Sequence, residues 1–225
     1  MAESEKIDQA IRPWYLKGWG LVFSIALIAV LIWLIGLVMW LYNPFAELGG
    51  TSRQAVNPLS VDEDDDPAWG SVYAKVTIIS FEDYTCPVCG EAYEAIKQIR
   101  ENYYDDVYIV FRDFPILGPT STTAALAAEC AEDQGKFWEM HDKLFENQTL
   151  ISEEYVKAFA AQIGLDLNTF TDCLYDNEHR AEIQSDLSEG IAAGVEGTPT
   201  WFIEGTRLEG AIPYEVWEQI IDSYI

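Results

Sequence analysis

From Gly18 to Ala46 the chain carries no charged residue, and Leu21 to Leu41 is almost wholly Leu, Ile, Val, Phe, Ala, Trp and Met. A helix needs ~20 apolar residues to cross a bilayer, and this run supplies them. Trp14, Tyr15 and Trp19 before it, and Trp40 and Tyr42 after it, read as interfacial belts. Arg12 and Lys17 precede the run and only Arg53 follows soon after. The positive-inside tendency therefore puts residues 1–17 in the cytoplasm as an N-terminal tail and the bulk of the chain outside. A signal peptide would have a core of ~7–15 residues and a small-residue cleavage site. Tyr42-Asn43-Pro44-Phe45 is a poor site, so residues 18–42 are read as an uncleaved transmembrane anchor.

Residues 43–71 are punctuated by Asn43-Pro44, Gly49-Gly50 and Asn57-Pro58, then by Asp62-Glu63-Asp64-Asp65-Asp66-Pro67. Consecutive acids repel and extend a chain, which makes this stretch an acidic linker. The run lacks the spaced ligands and glycine of a calcium loop and is read as a solvated spacer.

From residue 72 the pattern changes again. Val72–Phe81 is an apolar run that predicts a buried strand. Val88, Ala92, Ala95, Ile96, Ile99 and Tyr103 recur at helical spacing and predict a helix over Pro87–Tyr103. Asp105-Asp106 turns the chain into a second strand, Val107–Phe111, parallel to the first with a right-handed crossover. Five helical segments follow. They run over 121–133, ended by Gly135; over 136–147; from a Ser152 cap to Gly164; from an Asp166 cap through Cys173; and over 178–193, ended by Gly194. Thr200–Ile203 and Arg207–Glu209 form a hairpin about Glu204-Gly205. Pro213 opens a last helix with Val216, Trp217, Ile220 and Ile221 inward. The order is β-α-β, a helical block, then β-β-α, an α/β domain over 72–225.

The net charge is −25 over 225 residues. Lys6, Arg12 and Lys17 balance Glu3, Glu5 and Asp8, so the whole excess belongs to residues 43–225. Phosphate binding needs clustered Lys and Arg, so nucleic acid is excluded as a partner. The four cysteines are Cys86, Cys89, Cys130 and Cys173. An even number favours pairing if the domain lies outside the cytosol, where disulfides persist.

Cys86 and Cys89 sit where a strand hands over to a helix. Pro87 suits the first helical position, because its φ fits and its missing N–H would have no intrahelical partner. Cys86 is then the N-cap and Cys89 the third helical residue. Free N–H groups and the positive end of the helix dipole point at the Cys86 sulfur and favour thiolate, the nucleophile. Cys89, one turn in, is placed to attack a mixed disulfide formed at Cys86. His141, in a helix beside Trp138, reads as packed or half-exposed, and His179 lies in a polar stretch. Neither is spaced with Cys86 and Cys89 as a zinc ligand set would be.

Three pieces in order carry a resemblance: Phe81-Glu82-Asp83-Tyr84-Thr85-Cys86-Pro87-Val88-Cys89, Gln134-Gly135-Lys136-Phe137-Trp138-Glu139-Met140-His141, and Gly194-Val195-Glu196-Gly197-Thr198-Pro199-Thr200. Together they resemble the DsbA-like thiol:disulfide oxidoreductases. The resemblance implies a thioredoxin fold with a helical insertion at about 118–194. It implies a cis Pro199 facing the cysteine pair, with Thr198 offering backbone groups to an extended substrate, as in strand addition. Two departures stand out. The buried acid that many such proteins carry six residues before the first cysteine is Ser80 here, leaving Glu82 and Asp83 as candidate proton-transfer groups, read as a partly exposed pair. The dipeptide Pro87-Val88 has no histidine to stabilise a thiolate, which implies a milder oxidant. Cys130 and Cys173, on the first and fourth helices of the block, are read as a structural disulfide, the alternatives being a second redox pair or free thiols.

The expected function is oxidation of thiol pairs in exported proteins through Cys86 and Cys89. A membrane quinone-linked disulfide-generating protein would be the reoxidant, and no metal or organic cofactor is expected. A reductase or isomerase would use the same cysteines. A reading of another class is a binding module whose cysteines hold zinc.

Overall fold

The computed structural model describes residues 18–41 and 66–225. The expected tail over 1–17, most of the linker and the aromatic belt residues Trp14, Tyr15 and Tyr42 lie outside the described residues. Helix α1, Gly18–Leu41, is 24 residues long. Its described side chains, Val22 and those of residues 25–35, are exposed. Among the described residues no helix is long and apolar enough to cross a membrane.

The folded domain is built on a five-stranded sheet. Its strands are β1 (Ala68–Gly70), β2 (Val76–Glu82), β3 (Val107–Asp113), β4 (Thr200–Ile203) and β5 (Thr206–Glu209). They lie in the order β1-β3-β2-β4-β5. Strands β2 and β3 are parallel from Val76↔Val107 to Glu82↔Asp113, and every other pairing is antiparallel. Helix α2 (Pro87–Asn102) makes the parallel crossover. Between β3 and β4 come α3 (Pro119–Glu132), α4 (Phe137–Glu146), α5 (Glu153–Ile163), α6 (Leu167–Asp176) and α7 (Arg180–Ala192), and α8 (Tyr214–Asp222) closes the chain. Ser152 and Asp166 cap α5 and α6, accepting from Tyr155 N and Thr169 N, and Gly164 ends α5 with φ 81°.

The period of two along β2 sorts its side chains. Val76 and Ile78 pack with Ala92, Ile96 and Ile99 of α2 and with Trp201, Trp217 and Ile221. Ile79 and Phe81 face the other side, with Val110, Phe114, Val195 and Phe202. A third cluster gathers Tyr84, Cys86, Cys89 and Phe111 with the helices of the block. The cysteine pair thus lies where the sheet core meets the helical core.

Several expectations need correction. The first long strand begins at Val76 and not Val72, since Val72 and Tyr73 are 63% and 92% exposed. Residues 71–74 instead form a turn, with Ala74 N donating to Ser71 O. The short strand β1 precedes it and was hidden in the expected linker. It ends at Gly70, whose φ is 99° and where a Cβ would stand 2.0 Å from Val107 O. Asp66 is no solvated spacer residue: its carboxylate accepts from the buried Arg112 at 2.6 Å with 7% of the side chain exposed. Val88 and Val216, expected inward, are 38% and 43% exposed.

Cys130 and Cys173 are joined by a disulfide between α3 and α6 that closes a separation of 43 residues. In the chain-entropy account such a loop contributes about 4 kcal/mol. The double variant Cys130→Ala, Cys173→Ala should lose about that much unfolding free energy in a urea titration, with titration of Cys86 unchanged.

Candidate active site

Cys86 is the N-cap of α2, with φ −74° and ψ 122°, and Pro87 opens the helix. The Thr198–Pro199 peptide bond is cis. The Cys86 sulfur lies 3.3 Å from the Thr198 carbonyl oxygen. The loop that carries this bond is tied on both flanks. Thr200 Oγ1 donates to Gly197 O at 2.7 Å, and Gly210 N donates to Pro199 O at 2.9 Å. The fold thus brings Cys86, Cys89, Thr198 and Pro199 together from two segments far apart in sequence. Both cysteines are free thiols; Cys86 is 7% exposed and Cys89 fully buried.

The two sulfurs titrate very differently. Cys86 is lowered from 9.0 to about 5, chiefly by a hydrogen bond from the Cys89 thiol. The Thr198 side chain and the N–H groups of Cys89 and Val88 add to this, against the opposing effect of burial. As a thiol the sulfur donates to the Thr198 carbonyl; as an anion it accepts from this ring of donors. It closes no cap hydrogen bond of ordinary geometry, so the N–H groups act through their field. Burial pushes the Cys89 thiol far up, and the neighbouring Cys86 anion and Glu82 push it further. One sulfur is an anion at neutral pH and the other keeps its proton.

Glu82 and Asp83 are not a partly exposed pair: 3% and 1% of their surfaces are accessible. They have separate tasks. Asp83 accepts from Thr85 N at 2.8 Å, Thr85 Oγ1 at 2.8 Å, Ile116 N at 3.0 Å, Leu117 N at 3.1 Å and Ser121 Oγ. That set fills a carboxylate's acceptor positions. Asp83 therefore fixes the loop before Cys86, and its expected role in proton transfer is withdrawn. Glu82 lies one strand repeat beyond Ser80, on the same face of β2. Burial pushes its carboxyl up to about 8, against a hydrogen bond from Ser80 and the charge of Arg100, while the Cys86 anion raises it further.

Arg100, Ser121 and Gln148 also belong to the site's surroundings and carried no local signal in the sequence. Arg100 is 6% exposed, pairs with Asp142 and lies over the rings of Trp69 and Trp138 at 5.4 and 4.7 Å. His141 is fully packed, with Nδ1 3.0 Å from Asp142 Oδ1, and burial lowers it to about 4, so it is neutral. His179 is raised to about 9, first by Glu182 and then by Asp133, which pair with its two ring nitrogens. Asp133, Cys173 and His179, and Glu129, His179 and Glu182, are close enough to share an ion. However, the Cys173 sulfur is held in its disulfide, and both nitrogens of His179 are taken. With Cys130 and Cys173 bonded to each other, the four cysteines do not form a zinc set.

The family model described as thioredoxin matches residues 62–223. A Na(+)/H(+) antiporter NhaA 3 of Salinispora tropica is 36% identical over 158 residues, which are 69% of this chain and 24% of that protein. The chain thus spans about a quarter of the length of that curated relative. Among solved structures, the thiol-disulfide exchange protein alpha-DsbA2 of Wolbachia pipientis is 26% identical with a TM-score of 0.64, covering 70% of this chain and 86% of that one. A thioredoxin-like oxidoreductase from Silicibacter pomeroyi is 28% identical with a TM-score of 0.65, covering 70% and 91%.

Because the Cys89 thiol is the largest influence on Cys86, Cys89→Ala should raise the Cys86 pKa by about one unit or more. Cys89→Ser, which keeps a donor, should leave it low. The ultraviolet thiolate absorbance, followed against pH for each variant, checks both outcomes.

Proposed function

The chain belongs to the thioredoxin family as one of its DsbA-like thiol:disulfide oxidoreductases, and we propose that it oxidises thiol pairs of exported proteins from an anchored position outside the cytoplasm. The observation that carries this reading is the Cys86 sulfur, lowered to about 5 at the start of α2 and 3.3 Å from the carbonyl before Pro199. A thiolate so stabilised is a good leaving group, which favours handing the disulfide to a substrate.

In the oxidised protein Cys86 and Cys89 are bonded. A substrate thiolate attacks the Cys86 sulfur, the Cys86–Cys89 bond breaks, and Cys89 leaves with the electron pair. A second substrate thiolate then attacks the substrate sulfur of the mixed disulfide and releases Cys86 as thiolate. Two electrons have passed from the substrate to the cysteine pair, and the substrate carries the new disulfide. Thr198 and Pro199 are assigned to substrate binding: backbone groups beside the sulfur hold an extended segment by strand addition.

Cys89 leaves into a buried place that disfavours its anion. Glu82, on the strand below and protonated below about pH 8, is assigned the proton that neutralises it. It takes the part expected of an acid at Ser80, moved by two residues along one strand face.

Anchoring is supported by the uncharged run from Gly18 to Ala46 and the positive residues before it. In this reading residues 1–17 are cytoplasmic, 18–42 anchor, 43–71 link, and 72–225 catalyse, with the Cys130–Cys173 bond as a staple. The anchor would keep the domain near a membrane quinone-linked protein that reoxidises it.

A Cys86 near 5 lies between the ~7 of thioredoxin and the ~3.5 of DsbA, which fits a milder oxidant. The reduction potential should therefore fall between about −120 and −220 mV, read from equilibration with glutathione. A value near the ~−270 mV of thioredoxin would make the protein a reductant and overturn the reading. Cys86→Ser should abolish turnover. Cys89→Ser should accumulate substrate-linked protein on a non-reducing gel, and its absence would reverse the assigned order of attack.

Glu82→Gln copies the protonated acid in shape and should fold. With a folded pKa raised to about 8 from 4.5, Glu82 contributes stability that is complete below 4.5 and lost as pH rises to 8. The Gln variant should lack that loss. Its turnover should fall by about 100-fold at neutral pH, the usual worth of a positioned acid. An unchanged rate would remove Glu82 from the mechanism.

A further inference from the structure

Gln148 stands in the turn Gln148–Leu150 that follows α4, sixty-two residues beyond Cys86. Its side-chain nitrogen donates to Tyr84 O and to Cys86 O, each at 2.9 Å. A primary amide has two N–H donors, and these two carbonyls use both. The Cys86 carbonyl also accepts from Gly90 N at 3.1 Å, the first bond inside α2. One amide from the helical block therefore grips the peptide units on either side of Thr85-Cys86. Three residues before it, Phe145 of α4 stacks against Tyr93 at 5.5 Å and meets Tyr84 at 4.9 Å, so the same segment also packs on the residue before the redox loop.

Gly90 supplies an independent observation. It lies inside α2, where glycine is a poor helix former, and it has no positive φ to require it. Space explains it. A Cβ there would stand 2.2 Å from Gln148 Oε1 and 2.7 Å from its Cδ. The glycine is the gap through which the amide reaches the carbonyls. Asp83 ties the same loop from its other side through Ile116, Leu117 and Ser121. The redox loop is thus clasped twice by the segment inserted between β3 and β4.

We propose that Gln148 is a positioning residue of the redox centre, which pins the Tyr84 and Cys86 carbonyls and so holds the Cys86 sulfur over the N–H groups that open α2, with Gly90 as its obligatory partner. This rests on the reading of Cys86 as the reactive thiolate. Without the amide the peptide units about Cys86 gain freedom, the sulfur spreads away from its donors, and the anion loses part of its stabilisation. A purely structural role would lower stability and leave the sulfur's titration where it was.

The test uses the full chain in detergent, with thiolate absorbance followed against pH in Gln148→Ala, Gly90→Ala and the double variant. Each single variant should raise the Cys86 pKa by about one unit, roughly one hydrogen bond's worth. The double variant should match Gln148→Ala, because both changes break the same contact. Gly90→Ala places the better helix former in α2, which offsets part of the stability lost with the amide's bonds, so its thiolate should weaken with a smaller drop in melting temperature than in Gln148→Ala. Single variants that titrate like the parent would overturn the proposal, and so would shifts that add in the double variant. The measurement needs no substrate. A parent protein without a low-pH thiolate transition would instead overturn the reading of Cys86, so the two failures are distinct.

Discussion

Everything in this fold converges on keeping a sulfur anion where a helix begins. The first turn of α2 leaves N–H groups without carbonyl partners, and the N-cap position is the one place from which a side chain faces them. Pro87 makes that start abrupt, and the buried Cys89 thiol adds the strongest single donor. The same burial that denies Cys89 a charge turns it into a donor for its neighbour. The asymmetry between two identical side chains three residues apart thus comes from donors gathered about one sulfur and burial around the other.

The sheet and the helical block divide the work of holding this site. Strand β2 delivers the loop and puts Ser80 and Glu82 beneath it, while β4 follows directly from the cis bond that faces it. The block packs apolar side chains in the same cluster as Cys86 and sends its hydrogen bonds to the loop around it. Its part is to fix the backbone around it, through Ser121 and the segment 116–117 on one flank and Gln148 on the other. An insertion of this kind is a frame for the reactive loop as well as a cover.

The cysteine pair, its helix and the order of the main elements along the chain were legible because they rest on local rules: a proline at the first helical position, period 3.6 in α2, caps at Ser152 and Asp166. What escaped was set by contacts distant in sequence. Strand β1 is three residues long and exists because β3 offers it an edge, so no periodicity announces it. Val72 and Tyr73 are apolar yet lie in a turn, and apolar content alone extended the strand over them. Asp83 read as a loop acid because its donors come from residues 116, 117 and 121. Asp66 read as one of a charged run because its partner is Arg112. Gly90 gave no sign of its purpose, which depends on a glutamine outside its own element.

The protein holds two cysteine couples of opposite character. Cys130 and Cys173 are 1% and 2% exposed, each within its own helix. Thiol–disulfide exchange needs an attacking thiolate in line with a sulfur, and such burial shields both ends of this bond. At the mouth of α2 Cys86 keeps 7% of its surface accessible, while Cys89 behind it has none. In the proposed cycle the bond at Cys86 is made and broken at each encounter while the Cys130–Cys173 bond stays closed, so the chain would discharge repeatedly without coming apart.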